Sequence, residues 1–180
     1  MARLLAALHD CRDPLAANAV RLLLLTGARR GELLSARWAD IDFAAGVWTK
    51  PGTTTKQKTA HIIPLSQAVI AVLTAMRKEA GDREWIFPAS RGGRPRRDLG
   101  ENWDQIRKAA AIPDVRLHDL RHTYASALAS AGTSLRIVGG LLGHAQPGTT
   151  QRYAHLVDSA LREATEKASD LIVGPRFTVT

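Results

Sequence analysis

Apolar residues recur at helical spacing along most of the chain and change rhythm in one central stretch. The spacing over Arg3–His9 predicts a short amphipathic helix, and Pro14–Leu25 predicts a second, with Pro14 suited to its first turn. Gly27 breaks that helix, and Arg30–Arg37 reads as a third. From Trp38 to Pro64 the character differs. Val47-Trp48-Thr49 and His61-Ile62-Ile63 are rich in β-formers and flank a Gly/Thr/Lys loop, which predicts a small hairpin or three-stranded sheet. Ser66–Lys78 returns to helix. Asp98 with Glu101 forms a capping-box-like start to a helix that runs to about Ile112 and stops at Pro113. His118–Ala131 is strongly helical and ends at Gly132. Ser134 can cap Leu135–Leu142, which ends at Gly143. Pro147 or Thr149 opens a short helix carrying Tyr153, Asp158–Leu171 is a last helix, and Gly174–Thr180 is a tail. The expected fold class is mainly α with a small antiparallel β-sheet, an α+β chain without repeats or a low-complexity linker.

Composition narrows the class only modestly. At 180 residues the chain can bury a core as one domain. Apolar residues make up 45% and charged residues 23%, an ordinary globular balance. The net charge of +8 favours polyanions, leaving DNA, RNA and anionic membranes open. Cys11 is the one cysteine, which excludes an internal disulfide framework and a Cys-based zinc site and fits a reducing compartment. Met1–Asp10 has no apolar stretch of signal-peptide length, and no run approaches membrane-spanning length, so the expected location is cytoplasmic.

Candidate chemistry lies in separated blocks. Arg29 stands in Thr26-Gly27-Ala28-Arg29-Arg30-Gly31-Glu32, and Lys56 precedes His61-Ile62-Ile63-Pro64-Leu65. His118 and Arg121 share His118-Asp119-Leu120-Arg121-His122-Thr123. His144 closes Leu142-Gly143-His144, and Tyr153 sits in Thr149-Thr150-Gln151-Arg152-Tyr153-Ala154-His155. His118 and Arg121 are three apart on one predicted helix and project from the same face. Glu32, three residues after Arg29, can orient it by a salt bridge or serve as a plain helix residue. His122 is four residues from His118, a spacing that can chelate zinc. The zinc-peptidase form of that motif has Glu in second place, however, and this chain has Asp119. Arg121 would also press a positive charge against the ion, so the expectation is no metal. Tyr124 lies inside the same helix and reads as a packing residue.

These types, order and spacing together resemble the tyrosine recombinase (phage integrase) family, over nearly the whole chain. The resemblance implies a catalytic domain spanning residues 1–180 and double-stranded DNA as partner. Tyr153 would attack a scissile phosphate to give a 3′-phosphotyrosine, and a 5′-hydroxyl of a partner strand would then reseal the DNA. Arg29 and Arg121 would clamp the phosphate, because a guanidinium fork binds two oxygens at once. His118 would exchange a proton with the tyrosine or the phosphate, and His144 would donate a hydrogen bond to the phosphate. A lysine on the β2–β3 turn protonates the leaving 5′-oxygen in the family. Lys56 fits that frame, with Lys58 the alternative on the same hairpin. The covalent bond stores the phosphodiester energy, so neither ATP nor a metal cofactor is implied.

The loop Arg91–Arg97 has four arginines and no acid. Arg91, Arg94, Arg96 and Arg97, with Arg30 and Lys58, are candidate phosphate contacts that position DNA without reading sequence. Against the family pattern the chain starts almost at the catalytic fold, so the N-terminal DNA-binding domain is expected to be absent. The resemblance implies a homotetramer on DNA at full length and a monomer for this piece. Asp158–Thr180 is the segment that can dock on a neighbouring subunit. Two other readings use the same residues differently: a type IB topoisomerase, which religates the same strand, and a catalytically silent DNA-binding module.

Overall fold

The computed structural model describes residues 1–53, 60–90 and 93–143. The chain divides into two compact units, Met1–Tyr124 and Ala125–Thr180. In the first unit the described elements are α1 (Ala2–His9), α2 (Pro14–Thr26), α3 (Arg30–Leu34), a 3₁₀ turn (Trp38–Asp40), β1 (Ile41–Asp42), β2 (Val47–Lys50), β3 (His61–Pro64), α4 (Gln67–Ala80) and α5 (Gly100–Ala109). Helix α6 (Asp119–Ser130) begins there, and α7 (Leu135–Leu142) belongs to the second unit. The class is the one the sequence predicts, mostly helix with a three-stranded antiparallel sheet in the order β1-β2-β3.

Local chemistry sets most boundaries. The Asp13 carboxylate accepts from the Ala16 N–H at 2.9 Å and Pro14 fills the first turn, so α2 starts there. Gly27 ends α2 in the left-handed region at φ 61°. Ser66 and Ser134 accept from the N–H groups of Val69 and Ile137 and start α4 and α7. The sheet register pairs Trp48 with both Ile41 and Ile63, and Lys50 with His61. Strand alternation therefore turns Ile41, Trp48, Ile63 and Lys50 inward. The core of the first unit joins Leu8, Val20 and Leu22 of α1 and α2 to Trp48, to Val69 and Leu73 of α4, and to Phe87, Leu99 and Trp103. In the second unit Ala125, Ala129, Val138 and Leu142 are buried.

Three boundaries differ from expectation. Helix α3 ends at Leu34 rather than Arg37, because the Asp40 carboxylate takes the Arg37 N–H and starts the 3₁₀ turn. The capping box at Asp98 does not form. Asp98 accepts from the Leu99 N–H and from Arg30, and α5 begins at Gly100. The same helix stops at Ala109, short of Ile112. Ala111 takes a positive φ of 53°, while the Ile112 and Ala111 N–H groups bond the Arg107 and Lys108 carbonyls. The short helix with Tyr153, the helix Asp158–Leu171 and the tail Gly174–Thr180 lie outside the described residues.

Candidate active site

The site forms where α2 ends, α3 begins, β2 turns its last residue inward and α6 starts. Gly27 reverses the chain after α2 and leaves Arg29 extended at the N-terminus of α3 (φ −71°, ψ 143°). Glu32, one turn on, reaches back. Its Oε1 accepts from the Arg29 guanidinium at 2.7 Å and its Oε2 from the Arg29 backbone N–H at 3.2 Å. Of the two roles open to Glu32, orienting Arg29 is the one observed.

Lys50 completes this cluster and was not foreseen. Its side chain is 1% exposed and its ammonium donates to Glu32 Oε2 at 2.9 Å. It also stands 4.8 Å from the centroid of the Trp48 ring. One buried carboxylate thus bridges two cations. The signal was present in the sequence: if Trp48 faces the core, a period of two sends Lys50 the same way. No motif marks Lys50, so nothing beyond that alternation points to it.

Arg121 is 5% exposed and donates to the Gly27 carbonyl at 2.6 Å, which ties the start of α6 to the turn that carries Arg29. The electrostatics agree with this grouping. Burial lowers the pKa of Lys50, Glu32 opposes that fall, and Arg121 and Arg29 add to it. For Glu32, burial favours the neutral acid. The Lys50 charge and the hydrogen bonds from Arg29 and Lys50 outweigh it, and the carboxyl stays below its usual range. The Lys50 shift is led by burial, and the Glu32 shift by the cations that contact it.

His118 precedes α6 and borders a cleft of about 360 Å³ lined also by Arg30, Arg116, Arg121, Leu23, Ala28 and Leu117. Partial burial lowers its pKa, and His122 and Arg121 reinforce the shift. The shift favours the neutral imidazole. His118 and His122 meet edge to face with centroids 5.0 Å apart. Among the described residues no group of three His, Cys, Asp or Glu side chains is placed to hold a metal ion. Burial raises the pKa of Tyr124, the reverse of what an activated nucleophile needs. A larger cleft of about 470 Å³ between α1 and α5, lined by Arg3, Cys11 and Ile106 among others, involves none of these residues.

The predicted DNA contacts fare unequally. Arg94 and Arg97 are exposed. Arg30 is exposed and pairs with Asp98 at 2.8 Å. Arg96 has a different use: its guanidinium donates to Asp13 at 2.8 Å, to Asn102 at 2.6 Å and to the Asp98 carbonyl at 3.0 Å. Lys56, Lys58, Arg91, His144 and Tyr153 lie outside the described residues. Arg29, His118 and Arg121 are thus the members of the expected catalytic set that the described structure contains, all within the first unit. No described helix is long and apolar enough to cross a membrane.

Comparison with known proteins gives a consistent result. The tyrosine recombinase XerC of Oceanobacillus iheyensis is 35% identical over 174 residues, covering 89% of this chain and 56% of the relative. Among solved structures, XerA recombinase superposes with a TM-score of 0.70 at 30% identity, over 97% of this chain and 62% of that one. The catalytic domain of bacteriophage HP1 integrase gives 0.67 at 29% identity, over 97% of this chain and 94% of that one. The chain spans about half the length of the curated relatives it matches. The sequence profile of the phage integrase family matches residues 1–160, and with that match over the residues that build the arginine site, the chain belongs to the phage integrase family.

Proposed function

We propose that the chain is the catalytic domain of a site-specific DNA recombinase that breaks and rejoins strands through a 3′-phosphotyrosine on Tyr153. The observation that carries this reading is the convergence of Arg29 and Arg121 on one surplus-positive site, each anchored by a hydrogen bond of 2.6–2.7 Å. A phosphodiester under attack gathers charge on its non-bridging oxygens, and two fixed guanidinium forks meet that charge with little reorganisation. The relatives' names point the same way, to recombinases and integrases rather than topoisomerases. A silent binding module would have no use for the retained nucleophile.

The Tyr153 oxygen bonds to phosphorus and its phenolic proton passes to the neutral imidazole of His118. The bond from phosphorus to the 5′-oxygen breaks, and Lys56, with Lys58 as its alternative, gives that oxygen a proton. His144 donates to a non-bridging oxygen. A 5′-hydroxyl of a partner strand then gives its proton to Lys56 and attacks the phosphotyrosine, the bond from phosphorus to the tyrosine oxygen breaks, and His118 returns the proton to Tyr153. Free tyrosine has a pKa of about 10, so the cationic surroundings must favour the phenolate. Arg30, Arg94 and Arg97, with Lys58 and Arg91, are proposed to hold the flanking phosphates. Arg96, engaged with Asp13, is left out of that set. Duplex DNA is the proposed partner, with a tetramer on DNA as the full-length assembly. Residues 158–180 are the proposed segment exchanged between subunits.

The test is covalent trapping on nicked duplexes randomised around the nick. Wild type is expected to yield an SDS-resistant adduct in the presence of EDTA, and Tyr153→Phe none, with non-covalent binding retained. An adduct formed by the Phe variant would refute the nucleophile, and loss on chelation restored by zinc or magnesium would revive the His118/His122 metal reading.

A further inference from the structure

We propose that Lys50 is a positioning residue that offsets the charge of Glu32, so that Arg29 remains a net cation able to bind phosphate. The inference rests on the reading of Arg29 and Arg121 as phosphate ligands and adds a residue to that site.

The need for such a residue follows from the geometry. Arg29 is held by a carboxylate that contacts both its guanidinium and its backbone N–H. That grip fixes the side chain, but an arginine paired one to one with a buried carboxylate carries little net charge toward an incoming anion. Glu32 is 4% exposed, so water does little to screen it. The ammonium of Lys50 binds the second carboxylate oxygen at 2.9 Å from the protein side, while Arg29 keeps a third of its side chain exposed. Arg29, Glu32 and Lys50 then sum to one surplus positive charge. Without Lys50 the sum is zero. Lys50 is itself too deeply enclosed, at 1% exposure, to serve as a direct phosphate ligand without rearrangement. It acts through Glu32.

This arrangement separates two demands that a lone Arg–Glu pair sets against each other. A strong anchor pins the guanidinium fork in the orientation that bidentate phosphate binding requires. The same anchor cancels the charge that makes the fork useful. A second cation on the far oxygen keeps the orientation and restores the charge. A buried ion pair gives little stability over a well-packed apolar pair, because desolvation offsets the attraction. Retention of a lysine in this place therefore fits an electrostatic task.

The experiment compares wild type, Lys50→Met, Glu32→Gln and the double variant Glu32→Gln/Lys50→Met. Two readouts are used: binding of inorganic phosphate, followed by NMR of the arginine Nε–H groups, and the single-turnover rate of adduct formation on nicked duplexes. Lys50→Met is expected to weaken phosphate binding and slow adduct formation by about 10- to 100-fold, less than the ~10²–10³ for loss of an oxyanion donor. The double variant has the same net charge as wild type, keeps an amide oxygen for Arg29, and is expected to recover to within a few-fold. A role in packing alone predicts no recovery, since the double variant replaces one more native group. Should Lys50→Met fail to fold, the double variant still decides, because it buries no unpaired charge. Near wild-type values there support the proposal. Wild-type behaviour of a folded Lys50→Met, or a double variant no better than the single, overturns it. If wild type binds phosphate with this pattern yet forms no adduct, the charge account stands and the assignment of Tyr153 falls. If wild type does neither, both fall.

Discussion

Two carboxylates in this chain are built into ion pairs, and they differ in one respect that matters. Asp13 caps α2, accepts from Arg96 and Asn102, and joins α2 to the segment around α5. One acid meets one cation and the charges close. Glu32 meets two cations, and a third, Arg121, stands close enough to shift the Lys50 equilibrium. The first cluster is complete within the chain. In the second, two cations share one buried carboxylate. A balanced ion pair is a fastening, whereas an unbalanced one near a cleft indicates a ligand and its sign.

The largest expected effect comes from deleting the acid of the unbalanced cluster. Glu32→Ala leaves Lys50 buried without its partner, for which about 3–5 kcal/mol of stability is the usual cost. Denaturant unfolding reads this directly, and a loss below about 1 kcal/mol would place Lys50 in water rather than in the core. Next in size, Arg121→Lys keeps the charge and loses the fork. The adduct-forming rate should drop by about 10²–10³. A near wild-type rate would remove Arg121 from contact with the phosphate.

His118 gives the comparison a pH axis. Its pKa lies below the ordinary histidine value, so the folded state binds fewer protons than the unfolded state in the acid range. Stability from this group is present above that range and is lost as pH falls through it. The rate should follow the same direction if the neutral imidazole accepts the phenolic proton: level around neutrality, falling on the acid side below about 6.5. A limb that instead rises toward acid would assign His118 as a proton donor.

The smallest effect tests the balanced cluster. Asp13→Ala removes a helix cap and the partner of Arg96, and should cost about 1–2 kcal/mol. Adduct formation at a temperature where the variant is folded should be unchanged. A cleavage defect in that variant would mean that the two clusters are not the separate devices described.

How much was legible before the structure follows the same division. The helix ends at Gly27, Gly132 and Gly143 and the starts at Pro14 and Ser134 were readable, since each depends on a residue and its immediate neighbours. The α3, Asp98 and Ile112 boundaries were misplaced because side chains such as Asp40 and Asp98 had competing partners. Arg29 and Arg121 are singled out by their motifs, and the structure brings Arg121 onto the Gly27 turn that precedes Arg29. Their anchors were only half legible: Glu32 was one of two options, and the Gly27 carbonyl under Arg121 lies 94 residues away in sequence. Arg96 and Lys50 have partners that lie far away in sequence. Arg96, expected from its basic loop as a phosphate contact, pairs with Asp13, and Lys50, which no motif marks, is buried on Glu32.

The identity of the nucleophile is the most direct test of the proposed chemistry. Digestion of the trapped protein–DNA adduct, followed by mass spectrometry of the nucleotide-bearing peptide, identifies it. The account predicts a nucleotide joined through its 3′-phosphate to the peptide containing Tyr153. A phosphate carried by Tyr124, by a serine or histidine, or by no residue of the chain would contradict it.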